Sequence, residues 1–177
     1  MTWTLIVLVV LALVLWSFYV SWRASRLDRL HNRVEAARTA LDLALVRRGS
    51  AAADLASSGL LDPATSLLLA DAVRRARQAE QAERDLAESD LTRSLRATLG
   101  EPGFRKELAD DEGAAELVAE VEAAARQVFI ARKFYNDVAG RTIDARRRPL
   151  ARILRLAGSA GQPGFFDMDD DVPGAGQ

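Results

Sequence analysis

Residues 3–22, WTLIVLVVLALVLWSFYVSW, contain no charge, glycine or proline, and polar side chains enter only at Thr4, Ser17 and Ser21. As a helix this run measures about 30 Å, the thickness of a bilayer core. It has no polar face, which argues against a core helix of a soluble domain and against a helix lying flat on a membrane surface. Trp3 at one end and Trp16, Tyr19 and Trp22 toward the other place amphipathic rings at headgroup level. The pattern predicts a transmembrane helix.

Beyond Trp22 the apolar residues recur at steps of three and four, and no strand-like alternation is long enough for a sheet. Leu27, Leu30, Val34, Ala37, Leu41 and Ala44 form one stripe of a first helix that continues out of the apolar run to about Ser57. Gly49 lies within it and is a place where it can bend. Ser58-Gly59 and Asp62-Pro63 mark a turn, with Asp62 as N-cap and Pro63 as first helical residue. A second helix is predicted to run unbroken to Leu99 and stop at Gly100. Leu68, Ala72, Ala76, Ala79, Leu86, Leu91 and Leu95 are its expected inner face, with Glu80, Glu83, Arg84, Asp85, Glu88 and Arg93 facing water. Residues 101–113 are a connector with one helical turn expected at 104–108.

The third helix has the most regular seam: Ala114, Leu117, Val121, Ala124, Val128, Ala131, Tyr135 and Val138, spaced as in a coiled coil. Pro149 ends it and can open a short fourth helix, PLARILRLA, stopped by Gly158. The residues that follow are rich in Gly and Asp and hold too little apolar surface to order themselves, with only Phe165 and Phe166 able to dock. The predicted fold is therefore all-α: an N-terminal transmembrane helix leading into a long antiparallel bundle of three long helices and a short fourth. The boundaries are 1–22 for the anchor, 23–158 for the bundle and 159–177 for an acidic, disordered tail.

Composition narrows the chemistry. The 177 residues include no Cys and one His, which removes disulfides, thiolate metal sites, thiol nucleophiles and most triad chemistry. Twenty-four basic against 25 acidic side chains leave a net charge of −1, so the whole chain has no bias toward nucleic acid. No enzyme activity, cofactor or metal is expected. A cleaved secretory signal would have basic residues ahead of the run and small residues near its end, whereas Tyr19 and Trp22 are bulky, so an uncleaved anchor is favoured. Arg23, Arg26, Arg29 and Arg33 follow the run with Asp28 as the sole acid, which predicts an outer N-terminus and a cytoplasmic body. Twenty-two Arg to two Lys, with abundant Ala, suggests a GC-rich bacterial genome.

The stretch QVFIARKFYNDVAGRTIDARRRPLARILRLAGSAGQPGFFD resembles the C-terminal signature of the LemA family. Its elements are Ala131-Arg132, Tyr135-Asn136, an apolar segment over 150–158 and Phe165-Phe166-Asp167. The N-terminal anchor and the Arg47-Arg48 pair are also similar to that family. The chain departs from it after the Arg pair, where Gly49 to Leu55 replace an acidic-Leu-x-Pro-Asn-Leu type segment. The resemblance implies a helical bundle on a membrane anchor, with a cytoplasmic body and no established catalytic role.

Four features could carry function. His31 lies one position off the first stripe among four Arg, where a residue at the edge of the core is favoured over a pH sensor. The carboxylates Glu80 and Glu83, or Asp85 and Glu88, lie a turn apart, but the sequence puts no apolar pocket around them and a solvated face is favoured over acid/base work. Tyr135 on the seam and Asn136 beside it need buried partners, so they are read as a polar contact fixing helix register, with a small recognition site as the alternative.

The fourth feature is the cluster Arg141, Arg146, Arg147, Arg148, Arg152 and Arg155 with interleaved Leu and Ile. Anionic lipid and nucleic acid are weighed against an acidic protein partner or the chain's own tail, and the last two are favoured. In that arrangement Phe165 and Phe166 would pack on Leu150, Ile153 and Leu154, with the tail Asp residues near Arg148, Arg152 and Arg155. The function expected is a single-pass, membrane-anchored interaction or scaffold protein with a protein partner. Self-association is left open, and a lipid- or nucleic-acid-contacting module or an enzyme of unrecognised type are the alternatives.

Overall fold

The computed structural model describes residues 2–101, 104, 111–147, 161 and 163–171, with the backbone alone for residues 20 and 23–28. Among the described residues the fold is all-helical: α1 (Thr2–Ser57), α2 (Pro63–Gln78), α3 (Arg84–Leu99) and α4 (Glu112–Arg147), with no strand. α1 is helical through Gly49 and ends where Ser58 Oγ donates to Leu55 O at 2.8 Å. Asp62 caps α2, its carboxylate accepting from Ala64 N (2.9 Å) and Thr65 N (3.1 Å), with Pro63 supplying the first helical turn.

The chain divides into two compact units. One comprises Met1–Ala36 with Asp137–Phe165. Within it, Val34 of α1 and Val138, Ala139, Thr142 and Ile143 of α4 are buried. Thr142 satisfies its hydroxyl by donating to Val138 O at 2.8 Å. Thr2–Tyr19 is long and apolar enough to cross a membrane, with mean hydropathy 2.2 and no residue buried. Trp16 and Tyr19 bring their ring centroids to 6.4 Å.

The other unit comprises Ala37–Asn136 with Phe166–Gln177. Its core joins Ala52 and Leu55 of α1, Leu69, Ala72 and Val73 of α2, Leu91, Leu95 and Leu99 of α3, Phe104, and Val121 and Ala124 of α4. The predicted seam of α4 is observed, with Ala114, Val121, Ala124, Val128 and Tyr135 all buried.

The expected second helix is instead a helical hairpin. Arg75 Nη1 lies 3.6 Å from Asp90 Oδ2. Fifteen residues along one continuous helix would separate them by about 22 Å, so the chain must reverse. It does so over residues 79–83, opening with Ala79 in an extended conformation at ψ 131°. Ala72, Ala76, Leu91 and Leu95 are buried as expected, whereas Leu68 and Leu86 are exposed and Leu69 and Glu88 are buried.

Helix directions follow from the side-chain pairs. Arg84 meets Asp42 (2.9 Å) and Glu88 meets Arg48 (2.6 Å), so α3 runs parallel to the body of α1. Arg77 of α2 donates to Gly49 O (3.3 Å) as α2 turns back along α1. The proposed short helix after Pro149 lies outside the described residues, as do residues 105–108 of the expected turn that begins at Phe104.

Candidate functional site

Two constellations in the Ala37–Asn136 unit stand out, and they share a stretch of α3. The first is a buried ion pair. Arg48 Nη2 donates to Glu88 Oε2 (2.6 Å) and Glu88 O (3.2 Å), and Nη1 donates to Thr92 Oγ1 (2.7 Å). Both side chains are almost wholly out of water, and Arg48 Nε is buried without a partner. Loss of solvent pushes the Glu88 carboxyl above the usual carboxylate range despite the Arg48 charge. Burial likewise lowers Arg48, against the attraction of Glu88 and, more weakly, Asp170 and Asp169. The expectation that Glu88 faces water is corrected: it lies on the same face of α3 as Leu91 and Leu95, which carries it into the core. It also walls an open recess of about 500 Å³, with Leu45, Gly49, Ala76, Arg77 and Arg84 among its other lining residues.

The second constellation is the tail, which lies ordered against α3 and α4. The Asn136 side chain donates through Nδ2 to Phe166 O (3.0 Å) and accepts at Oδ1 from Phe166 N (2.9 Å). Asp85 Oδ2 accepts from Asp167 N and Ser89 Oγ accepts from Asp169 N, each at 3.0 Å. Arg132 grips Asp170 with two bonds, from Nε at 2.7 Å and Nη2 at 2.8 Å. Arg96 holds Asp171 (3.0 Å) and Asp169 (3.2 Å) with its two terminal nitrogens. Phe166 and Met168 are buried. The tail runs antiparallel to α4 (166 at 136, 170 at 132) and parallel to α3 (167 at 85, 169 at 89).

This corrects the expected disordered tail for residues 163–171, while the docking expected on Leu150, Ile153 and Leu154 and near Arg148, Arg152 and Arg155 falls on residues outside the described ones. The carboxylates of Asp169, Asp170 and Asp171 pair with Arg96 and Arg132, neither of which belongs to the predicted Arg cluster. Asn136 does make a polar contact, but its partner is the tail backbone. Tyr135 is buried on the seam. Phe165 is exposed, and its ring lies over Gly140 of α4 within its own unit.

Of the cluster, Arg141 pairs with Asp137 (3.0 Å), Arg146 donates to Gly161 O (2.9 Å) and Arg147 is exposed. Arg148, Arg152 and Arg155, with Leu150, Ile153 and Leu154, lie outside the described residues, as does the side chain of Arg23. Trp3, Trp16 and Trp22 are exposed along α1. Among the described residues no three His, Asp or Glu side chains converge where a metal ion could sit.

Compared with protein-family models, with curated proteins and with solved structures, the chain matches none. The fold and the two constellations define an all-helical protein with one apolar N-terminal helix and a groove on its bundle filled by an acidic segment.

Proposed function

We propose that this is a single-pass, membrane-anchored interaction protein of the LemA type, bacterial and non-catalytic, with its N-terminus outside and its body in the cytosol. The observation that carries the reading is the bare apolar helix Thr2–Tyr19, which no described residue of its unit covers and which is continuous with the helix whose buried stripe begins at Val34. Such a helix needs lipid around it unless it is removed. Bulky Tyr19 and Trp22 disfavour removal near its end, and the Arg residues that follow favour a cytoplasmic body.

A contact with anionic lipid is also favoured, by one observation. The basic end of α4 belongs to the same compact unit as residues 1–36, so Arg141, Arg146 and Arg147 share a unit with the membrane-proximal part of α1.

The test is extraction and topology in intact cells. The protein should stay in membranes under alkaline carbonate, its intact mass should include residues before Trp22, and protease added outside spheroplasts should leave the body whole. A mature form beginning after Trp22 removes the anchor, and digestion of the body from outside reverses the orientation.

A further inference from the structure

We propose that the groove formed by α3 and α4 around residues 166–171 is a peptide-recognition site for a partner protein. The segment it takes carries two apolar residues at alternate positions followed by two or three carboxylates. This deepens the interaction reading given above and rests on it.

Three observations converge. The segment has no secondary structure of its own, and the groove reads its main chain with side chains: Asn136 both gives to and takes from Phe166, while Asp85 and Ser89 accept the amides of residues 167 and 169. These four bonds use the backbone of the bound strand and ask nothing of its side chains. Next, burial alternates as for an extended peptide on a surface: Phe166 and Met168 are 7% and 5% exposed, while Asp167 between them faces water. Alternate pockets with main-chain clamping are how grooves bind extended peptides specifically. Finally, two arginines select the acidic end, Arg132 by the two-pronged geometry that fits a carboxylate and Arg96 by bridging two of them.

The resident tail is exchangeable. Its ion pairs with Arg96 are part-exposed, where water and salt compete with them. Tethering gives it an effective concentration on the order of millimolar, so it sets a threshold that a partner segment must exceed to bind. Charge complementarity then names the partner's chemistry, an aromatic or aliphatic pair spaced by one residue and followed by Asp or Glu.

The experiment uses the full chain in detergent and a fluorescein-labelled peptide of residues 163–171, PGFFDMDDD. In the variant Phe166→Ala/Met168→Ala/Asp170→Ala the receptor side chains are intact and the resident ligand is spoiled. The peptide should bind this variant at least tenfold more tightly than the wild type, and adding Asn136→Ala should cost tenfold or more. A permuted peptide of the same composition should fail. Absence of binding to a variant with native helical content overturns the proposal, as does equal binding of the permuted peptide.

If the variant loses helix, the wild type decides. Its methionines are Met1 and Met168, so a 13C-methyl spectrum reports tail release directly. Several millimolar unlabelled peptide should shift the Met168 methyl toward its free position, and an unmoved signal overturns the proposal. Wild-type dimers that become monomers in the tail variant would assign the groove to a second copy and overturn the partner reading. None of these readouts depends on the anchor or on topology, so failure here leaves the membrane reading standing, and failure there leaves the groove standing.

Discussion

Arg48 and Glu88, forty residues apart in sequence, meet at 2.6 Å with both side chains almost fully removed from water. Removing solvent from two ions costs several kcal/mol each, and their attraction offsets this only while both are present. Arg48→Met alone should therefore destabilise the protein by about 3–5 kcal/mol, because Glu88 is left buried without the cation that is bonded to it. Arg48→Met/Glu88→Leu should recover most of that loss, since Thr92 keeps a bond to Glu88 O (3.1 Å) that does not need the carboxylate. Urea denaturation of the two variants checks this. A double variant as unstable as the single one would mean that the pair holds the helices in place by more than charge neutralisation.

The same pair gives a pH dependence whose sign can be worked out. Glu88 keeps its proton to higher pH in the folded chain than in the unfolded one, so between the two pKa values the folded state binds more protons. The stability contributed by Glu88 is then fully present below the ordinary carboxylate range and declines as pH rises through the folded value. Asp62 and Asp71 run the other way. Their carboxyls are held low, first by hydrogen bonds from Thr65 and Arg74 respectively, so their contribution is present above the ordinary range and lost on acidification. Subtracting the Glu88→Gln variant isolates the first effect: the wild type should lose stability relative to that variant as pH rises from about 4.5. A difference that grows with pH would show that Arg48 outweighs burial.

The long periodic elements were legible in the sequence because each depends on its own residues. The stripe from Val34 to Ala44 and the seam from Ala114 to Tyr135 bury as their spacing predicts. The α2–α3 break was not legible, because residues 78–83 read QAEQAE, all acceptable in a helix and without Gly or Pro. What reverses the chain there is the packing of Leu69, Ala72 and Val73 with Leu91 and Leu95, which no local propensity encodes. The break did not shift the inner face, since Leu91 and Leu95 beyond it are buried as their spacing predicts; Glu88 shares that face, but its charge reads as solvated, and Leu86, which lies off it, is exposed. The tail was misjudged for a related reason. Its composition lacks apolar mass, but Phe166 and Met168 fit a groove whose polar receptors sit on other helices, so its order comes from Asn136 and Arg132 and not from the segment itself.

If packing alone makes the hairpin, its link should tolerate length. Residues 80–83 are exposed or half-exposed and carry no core side chain. Inserting Gly-Gly after Gln81 should lower stability by about 1 kcal/mol or less, since loop-closure entropy grows slowly with length. The same insertion after Glu88 would rotate Leu91, Leu95 and Leu99 out of the core and should prevent folding. Helical circular dichroism through a thermal melt distinguishes the two. Equal damage at both positions would place structural weight on the link itself.

Two glycines should respond in opposite directions to alanine. Gly49 lies inside α1 where no unusual backbone angle is needed, and an added Cβ would sit 3.8 Å from Arg77 Nε, an ordinary contact with a flexible side chain. Glycine in a helix interior is worse than alanine by about 0.5–1 kcal/mol, so Gly49→Ala should stabilise the protein by up to that amount. Gly59 follows α1 at φ 78°, in the left-handed region, with nothing within 4 Å of an added Cβ. There the space is open but the backbone is not available to an L residue without strain, so Gly59→Ala should destabilise by about 1 kcal/mol. Denaturation midpoints of the two variants against wild type decide it. A Gly49→Ala variant less stable than wild type would mean that the Gly49 carbonyl contact with Arg77 (3.3 Å) depends on the close approach that glycine permits.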